Sequence, residues 1–372
     1  MPGTQPGETR PAIEKGCKTF EGLELLLERP EVSRFVFDLR TLRQIANCLD
    51  EHSLRKGRIL GGLKAVFAAV QAMPDPEDEE AWLPGIREAL GIMAPLLALE
   101  NGPTTPVFGI FGHSHIDTAW QWTIAETWRK CARTFSSVLN LMDQYPQFIF
   151  MQSAPYHAER MRDLYPAVFE GMRMKAEAGQ WEPNGAMYIE PDCNIPAGES
   201  FVRQLLVGQR TQLELFGTYS DTLWLPDVFG YSAALPQLLR QARVRYFCTS
   251  KLSWNDTNRF PYDTFLWKGI DGTAVVSHFH RIHCWPDPET LTEFWNLVQH
   301  PDAQDRMLCP FGYGDGGGGP MAEMIEMGER ARDVEGCPRA EFTTLSDFMA
   351  GIERELGAEL PVHSGELYLE LH

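Results

Sequence analysis

The first hundred residues show a helical spacing of apolar positions. Between residues 35 and 71 apolar side chains recur every three or four positions, which predicts helix. A second helical pattern covers residues 82–99, where two prolines limit its regularity. The segment ENGPTTP then breaks the pattern. We therefore place a domain boundary near residue 104 and predict that residues 1–104 form a mainly helical region.

After residue 104, apolar runs with the character of β-strands alternate with helical patterns. The predicted strands lie at 107–117, 148–153, 186–190, 221–227, 246–251, 274–280 and 307–315. The predicted helices lie at 125–142, 156–178, 199–216, 233–242 and 320–333. Strands that alternate with helices of this length indicate βαβ units and a mainly parallel sheet. We predict one α/β domain over residues 105–372.

Composition restricts the classes of partner. The 372 residues have a formal net charge of −18, which disfavours nucleic acid and anionic membranes as partners but does not disfavour a neutral sugar. The eight cysteines are scattered without a C-x-x-C pair, which disfavours a thiolate metal site. The chain shows neither a signal peptide nor an apolar run long enough to cross a membrane. We expect a cytoplasmic protein.

Three of the predicted strands end in chemically active side chains. The first ends in His115 and Asp117, the fourth ends in Asp227 after a Leu-Pro pair, and the last ends in Asp315 before four glycines. Because ligands bind at the carboxyl ends of parallel strands, we expect these residues to meet at one cleft. Imidazole and carboxylate are good zinc ligands, although a turn or a capping arrangement would also explain His115-x-Asp117, and helix capping would explain Asp227.

Other residues near these strand ends have two interpretations each. His278, His280 and His283 form a rival metal set, yet satisfied buried histidines are commoner. Trp120 and Trp122 suit sugar stacking, yet tryptophans at the start of a helix more often belong to a core. The glycine run lacks the G-K-[ST] ending of a phosphate-binding loop.

Taken together, the ordered motifs resemble those of glycoside hydrolase family 38 α-mannosidases, in the cytosolic and bacterial branch. The matching stretches are Gly112-His-Ser-His-Ile-Asp-Thr-Ala-Trp120, Glu190-Pro-Asp-Cys-Asn194, Gly198-Glu-Ser200, Trp224-Leu-Pro-Asp-Val-Phe-Gly-Tyr-Ser232, Trp254-Asn, Gly314-Asp-Gly-Gly-Gly-Gly-Pro320 and Gly365-Glu-Leu-Tyr-Leu-Glu-Leu-His372. The resemblance extends over residues 107–372.

This resemblance implies a role for each matching residue. His115, Asp117, Asp227 and His372 would bind Zn²⁺. Asp227 would also be the catalytic nucleophile, and Asp315 the general acid/base. Trp120 would form the platform under the mannose ring, and Lys251 would be the basic residue beside the nucleophile.

The resemblance also implies a fold and a reaction. The fold would be a barrel-like (β/α)7-type catalytic domain after a helical segment, truncated before the family's helical bundle and β-sandwich regions. The reaction would be zinc-dependent, retaining hydrolysis of terminal α-mannosides of oligosaccharides through a covalent glycosyl-aspartate. The main alternative is an inactive fragment that keeps only sugar or metal binding. A zinc polysaccharide deacetylase ranks last, because its usual histidine pair at i and i+4 is missing. Homo-oligomerisation stays open.

Overall fold

The computed structural model describes residues 28–72, 74–75 and 77–370. Within this part of the chain there are eleven α-helices and ten strands. The helices are α1 (Pro30–Cys48), α2 (Leu54–Ala69), α3 (Glu79–Leu97), α4 (Ile124–Gln144), α5 (Pro155–Leu164), α6 (Pro166–Glu177), α7 (Gly198–Phe216), α8 (Leu235–Gln241), α9 (Pro288–Asn296), α10 (Ala322–Arg330) and α11 (Leu345–Leu356). The strands are β1 (Val107–His113), β2 (Phe150–Gln152), β3 (Trp181–Pro183), β4 (Thr222–Trp224), β5 (Tyr246–Thr249), β6 (Thr264–Lys268), β7 (Ala274–Phe279), β8 (Arg306–Phe311), β9 (Arg339–Phe342) and β10 (Val362–Ser364).

Two mainly parallel sheets form the centre of the α/β part. The first has the order β3-β2-β1-β8, with β9 also beside β1, and all its pairings are parallel. The second has the order β10-β6-β7-β5-β4, in which only the β6–β7 pairing is antiparallel. The predicted α/β class with a mainly parallel sheet is confirmed.

Two side-chain hydrogen bonds connect the two sheets. Between β3 and β4, the Thr222 backbone N–H donates to Asn184 Oδ1 at 3.3 Å. Between β7 and β8, the Leu308 N–H donates to His278 Nε2 at 3.3 Å. These contacts hold the two sheets together in the barrel-like α/β arrangement that the resemblance implied.

Apolar clusters bind the sheets to the helices. One cluster joins buried residues of both sheets, including Phe111 and Trp224, to Phe348 of α11. The amino-terminal helices α1 to α3 share a core that also contains Val334 and Cys337. Among the described residues, no helix has the length and apolar character that crossing a bilayer requires.

Several predicted elements differ from the observed ones. The third strand is Trp181–Pro183, so the prediction of a strand at 186–190 was wrong; that apolar run is a buried loop. The helix predicted over 35–71 divides into two before Ser53, whose side chain caps α2. The helix predicted over 156–178 divides at Pro166, because a proline is favoured at the first turn of a new helix.

The two prolines did not interrupt α3, which runs through Pro84 and Pro95. Six short elements were not predicted. They are β6, β9, β10, α9, α11 and the 3-10 turn Lys251–Trp254.

Candidate active site

Loops at the carboxyl ends of β1, β4, β5 and β8 supply the side chains of one cleft. β1 ends at His113, two residues before His115, and β4 ends at Trp224, three residues before Asp227. Lys251 follows β5 by two residues, and Asp315 follows β8 by four. The predicted convergence of distant strand ends is therefore seen in the structure.

His115 lies at the centre of the cluster. Its Nε2 is 3.3 Å from Asp117 Oδ1 and 3.3 Å from Asp227 Oδ2. One ligand atom each from His115, Asp227 and Asp315 lies within 4.8 Å of the other two. Asp117 Oδ2 is buried without a hydrogen-bond partner. Nitrogen and carboxylate donors at this spacing, with an orphaned carboxylate oxygen, fit a divalent metal ion such as zinc.

The carboxylates determine the protonation of His115. Burial by itself lowers the pKa of the imidazole, but Glu190, Asp117 and Asp227 together raise that pKa well above its usual value. Negative charge is thus concentrated around a buried ring. A bound cation would interact favourably with the same carboxylates.

Asp227 is ionised by its surroundings. Burial raises the pKa of this carboxyl, but hydrogen bonds from His115 and Lys251 outweigh burial and lower the pKa below its ordinary value. The buried Lys251 ammonium donates directly to Asp227 Oδ1 and lies 3.4 Å from the centre of the Trp254 ring. Asp227 caps no helix, so the capping interpretation was wrong.

The glycine-rich loop brings Asp315 to the cluster. Asp315 and Gly316 both have positive φ, of 53° and 69°. The Gly316 N–H donates to the His115 carbonyl at 3.1 Å, and the Lys130 ammonium donates to the Gly316 carbonyl at 3.1 Å. A Cβ at residue 316 would approach Lys130 Cδ to 2.7 Å, so both the positive φ and the nearby lysine side chain favour glycine there.

The cleft has a volume of about 510 Å³ and an aromatic rim. Trp120 is 60% exposed and meets Trp122 edge to face at 5.9 Å, so the core interpretation of Trp120 was wrong. Phe229 and Trp254 also line the cleft. Aromatic rings at the rim of a cleft suit the apolar face of a sugar.

The rival histidines do not form a metal set. His278 is fully buried, with Nδ1 2.8 Å from Thr264 Oγ1. His280 stacks on Trp224 at 4.4 Å, and burial lowers its pKa to about 4. His283 alone of the three lines the cleft.

Sequence reasoning gave Glu190 no role, although the residue lies in a quoted motif. Glu190 Oε2 is 2.9 Å from His115 Nδ1. The only signal in the sequence was an acid at the start of that motif. His372, the fourth predicted ligand, lies outside the described residues.

Comparisons with known proteins find a matching family model and similar sequences. A family model described as the glycosyl hydrolases family 38 N-terminal domain matches residues 106–366. Alpha-mannosidase G of Dictyostelium discoideum is 41% identical over 264 residues, which is 70% of this chain and 24% of the relative. Human alpha-mannosidase 2C1 is 35% identical over 354 residues, which is 94% of this chain and 33% of the relative. The chain thus spans about a quarter to a third of the length of these relatives.

A solved structure supports the fold. The crystal structure of an alpha-mannosidase from Enterococcus faecalis superposes with a TM-score of 0.59 at 19% sequence identity. The match covers 70% of this chain and 31% of that one. At this level of identity the likeness supports the fold alone.

Proposed function

The chain belongs to glycosyl hydrolase family 38, and from that premise we propose that it contains the catalytic centre of a zinc-dependent retaining α-mannosidase. The substrates would be the terminal α-mannosides of oligosaccharides. The observation that carries the proposal is the convergence of His115, Asp227 and Asp315, with ligand atoms within 4.8 Å of one another.

His115, Asp117 and Asp227 would hold the metal, together with His372. When bound, zinc would act as a Lewis acid and template for neighbouring hydroxyls of the mannose ring. Trp120 would stack against the face of that ring, and Lys251 would keep Asp227 oriented and ionised.

In the first half of the reaction, Asp227 would attack the anomeric carbon. The bond from that carbon to the leaving oxygen breaks, and Asp315 donates its proton to this oxygen. The bond that forms joins the sugar to a carboxylate oxygen of Asp227. The depressed pKa of Asp227 supports this role, because an attacking carboxylate must be ionised.

In the second half, Asp315 would take a proton from a water molecule, and the water oxygen would replace Asp227 at the anomeric carbon. Two displacements at one carbon retain its configuration. The separation of at most 4.8 Å between ligand atoms of Asp227 and Asp315 supports this route. Retaining glycosidases place their carboxyls about 5–5.5 Å apart, whereas inverting enzymes need about 6.5–9.5 Å for the intervening water.

The test combines zinc content with hydrolysis of an aryl α-mannoside by chelator-treated and zinc-repleted protein. We expect stoichiometric zinc and zinc-dependent turnover, and we expect Asp227→Asn to lower kcat by about 10⁴-fold or more. Asp315→Asn should keep zinc while losing turnover of poor leaving groups; loss of zinc would instead make Asp315 a ligand. Asp302→Asn, a change at an acid outside the cleft lining, is the matched control.

The alternative is a fragment that binds sugar or metal without turnover. Zinc binding without hydrolysis by the wild-type chain would support it and would contradict the proposed activity of this chain. We also propose that residues 1–104 are a mainly helical region that precedes a catalytic domain of residues 105–372. The substrates would be free cytoplasmic oligomannosides, as the cytosolic branch suggests.

A further inference from the structure

Glu190 lies in the loop between β3 and α7, and its carboxylate faces the Nδ1 atom of His115. The side chain is only 13% exposed. Its Oε1 accepts a hydrogen bond from Ser153 Oγ, which follows β2. Two loops from neighbouring strand ends therefore fix the position of this carboxylate.

The second oxygen of Glu190 has one charged neighbour. Oε2 lies 2.9 Å from His115 Nδ1 in an ion-pair contact, and neither atom has another hydrogen-bond partner. A buried carboxylate oxygen without a partner is costly. A proton on Nδ1 removes that cost, because it provides the donor that Oε2 lacks.

A proton on Nδ1 also decides what the other nitrogen can do. Neutral imidazole carries one N–H and one lone pair. With Nδ1 protonated, the lone pair is on Nε2, which faces Asp117 and Asp227 at 3.3 Å each. That is the side on which a metal ion would lie.

We propose that Glu190 is a positioning residue that holds His115 in the Nδ1–H tautomer and fixes the orientation of its ring for metal binding. This inference rests on the proposed metal role of His115. Glu190 contacts Nδ1, whereas Asp117 and Asp227 face Nε2, so Glu190 would act through the His115 ring. A carboxylate at the second ring nitrogen of a metal-binding histidine commonly raises the affinity of the site for the metal.

The test measures the zinc dissociation constant by competition with a chromophoric chelator, alongside the melting temperature of the metal-free protein. Glu190→Gln should weaken zinc binding by about 10–100-fold. Glu190→Ala should weaken it further, because glutamine keeps an acceptor oxygen and alanine does not. Ser153→Ala should weaken it by a few-fold, since it frees the carboxylate without removing it.

Glu159→Gln is the matched control. Glu159 is similarly buried, with a side chain 22% exposed, and accepts a hydrogen bond from the Tyr188 hydroxyl instead of contacting His115. The Glu159→Gln variant should bind zinc with the affinity of the wild type. Wild-type affinity in both Glu190 variants would overturn the proposal.

The remaining outcomes are also decisive. Complete loss of zinc in Glu190→Gln, equal to the loss in His115→Ala, would make Glu190 a ligand and overturn a positioning role. If the metal-free Glu190 variants fail to fold, Ser153→Ala decides: unchanged affinity overturns the proposal. A wild-type protein that binds no zinc would refute the zinc centre itself, so failure of the proposed function is distinguishable from failure of the Glu190 role.

Discussion

His115 and His278 are two buried histidines, one after a strand of the first sheet and one within a strand of the second, and they show how surroundings determine a role. His115 follows β1 and is within 3.3 Å of three carboxylates. His278 lies inside β7, where its nitrogens contact the Thr264 hydroxyl and the Leu308 N–H. Both side chains are almost inaccessible to solvent. The same residue type therefore occurs once in a charged cluster and once in a neutral network.

The pKa values of the two rings move in opposite directions. Burial lowers the pKa of His278 well below its usual value, and the nearby His280 adds to the effect. Burial acts on His115 as well, but the carboxylates reverse it. Exposure alone cannot distinguish a site histidine from a structural one, whereas the charges within about 4–6 Å can.

The largest expected effect is on metal binding. His115→Ala should weaken zinc binding by more than about 100-fold, because it removes a ligand and leaves three carboxylates around an empty volume. Isothermal titration of zinc into the metal-free protein measures this. Zinc affinity within threefold of the wild type would show that His115 is not a ligand, and the contrast with His278 would lose its basis.

The reverse pattern is expected for His278→Ala. This change leaves the Leu308 N–H and the Thr264 hydroxyl without partners and removes a ring contact with Phe348 at 5.1 Å. The free energy of unfolding should fall by about 3 kcal/mol. Urea denaturation measures the loss, and zinc affinity in the folded variant should not change. A selective loss of zinc binding would place His278 in the metal site after all.

The sequence predicted the fold class and the meeting of distant strand ends better than the bounds of the single elements. Strand ends rich in His and Asp signal a cleft, because the polar residues interrupt apolar runs at the places where parallel strands finish. The third strand was misplaced because the apolar run at 186–190 is buried as a loop, in which Ala186 has a φ of 66°. Gly208 of α7 lies against this loop, where a Cβ would come within 2.4 Å of the Ala186 carbonyl. Such packing between distant segments leaves no local pattern.

The Glu190–His115 contact was also beyond the sequence, for a related reason. The two residues are 75 positions apart, and only the neighbouring positions of β1, β2 and β3 in the sheet bring their loops together. A sequence shows which residues can bind a metal. The residues that orient those ligands can be identified only when the order of the strands in the sheet is known.

A smaller effect is expected in the pH dependence of the free energy of unfolding. It distinguishes a structural histidine with a lowered pKa from His115, whose pKa is raised. The folded-state pKa of His280 is about 4, below the unfolded value of about 6.5. The unfolded chain therefore binds the proton more tightly, and the contribution of His280 to stability, complete above pH 6.5, is lost as the pH falls toward 4. Between pH 6.5 and pH 5 the loss should be about 2 kcal/mol.

His280→Phe tests this, since it keeps a ring beside Trp224 and removes the titrating group. The free energy of unfolding, measured in urea from pH 7 to pH 5, should fall by about 2 kcal/mol more in the wild type than in the variant. Parallel curves for the two proteins would mean that His280 takes up a proton in the folded protein, so that a charge would lie beside Trp224.

The smallest effect is expected at Trp120, where exposure rather than charge distinguishes a site residue. Its ring is 60% exposed and contacts Trp122 only edge to face, so Trp120→Ala should change the free energy of unfolding by less than about 0.5 kcal/mol. If the ring forms the sugar platform, kcat/KM for an aryl α-mannoside should fall by about 3–10-fold in Trp120→Ala, and Trp120→Phe should restore most of it.

Trp122→Phe is the comparison. The Trp122 Nε1–H donates to Thr127 Oγ1 at 3.0 Å, and loss of this hydrogen bond should lower stability more than catalysis. Unchanged kcat/KM in Trp120→Ala, together with a clear loss of stability, would contradict the role proposed for Trp120. The exposed ring would then be a structural residue like His278.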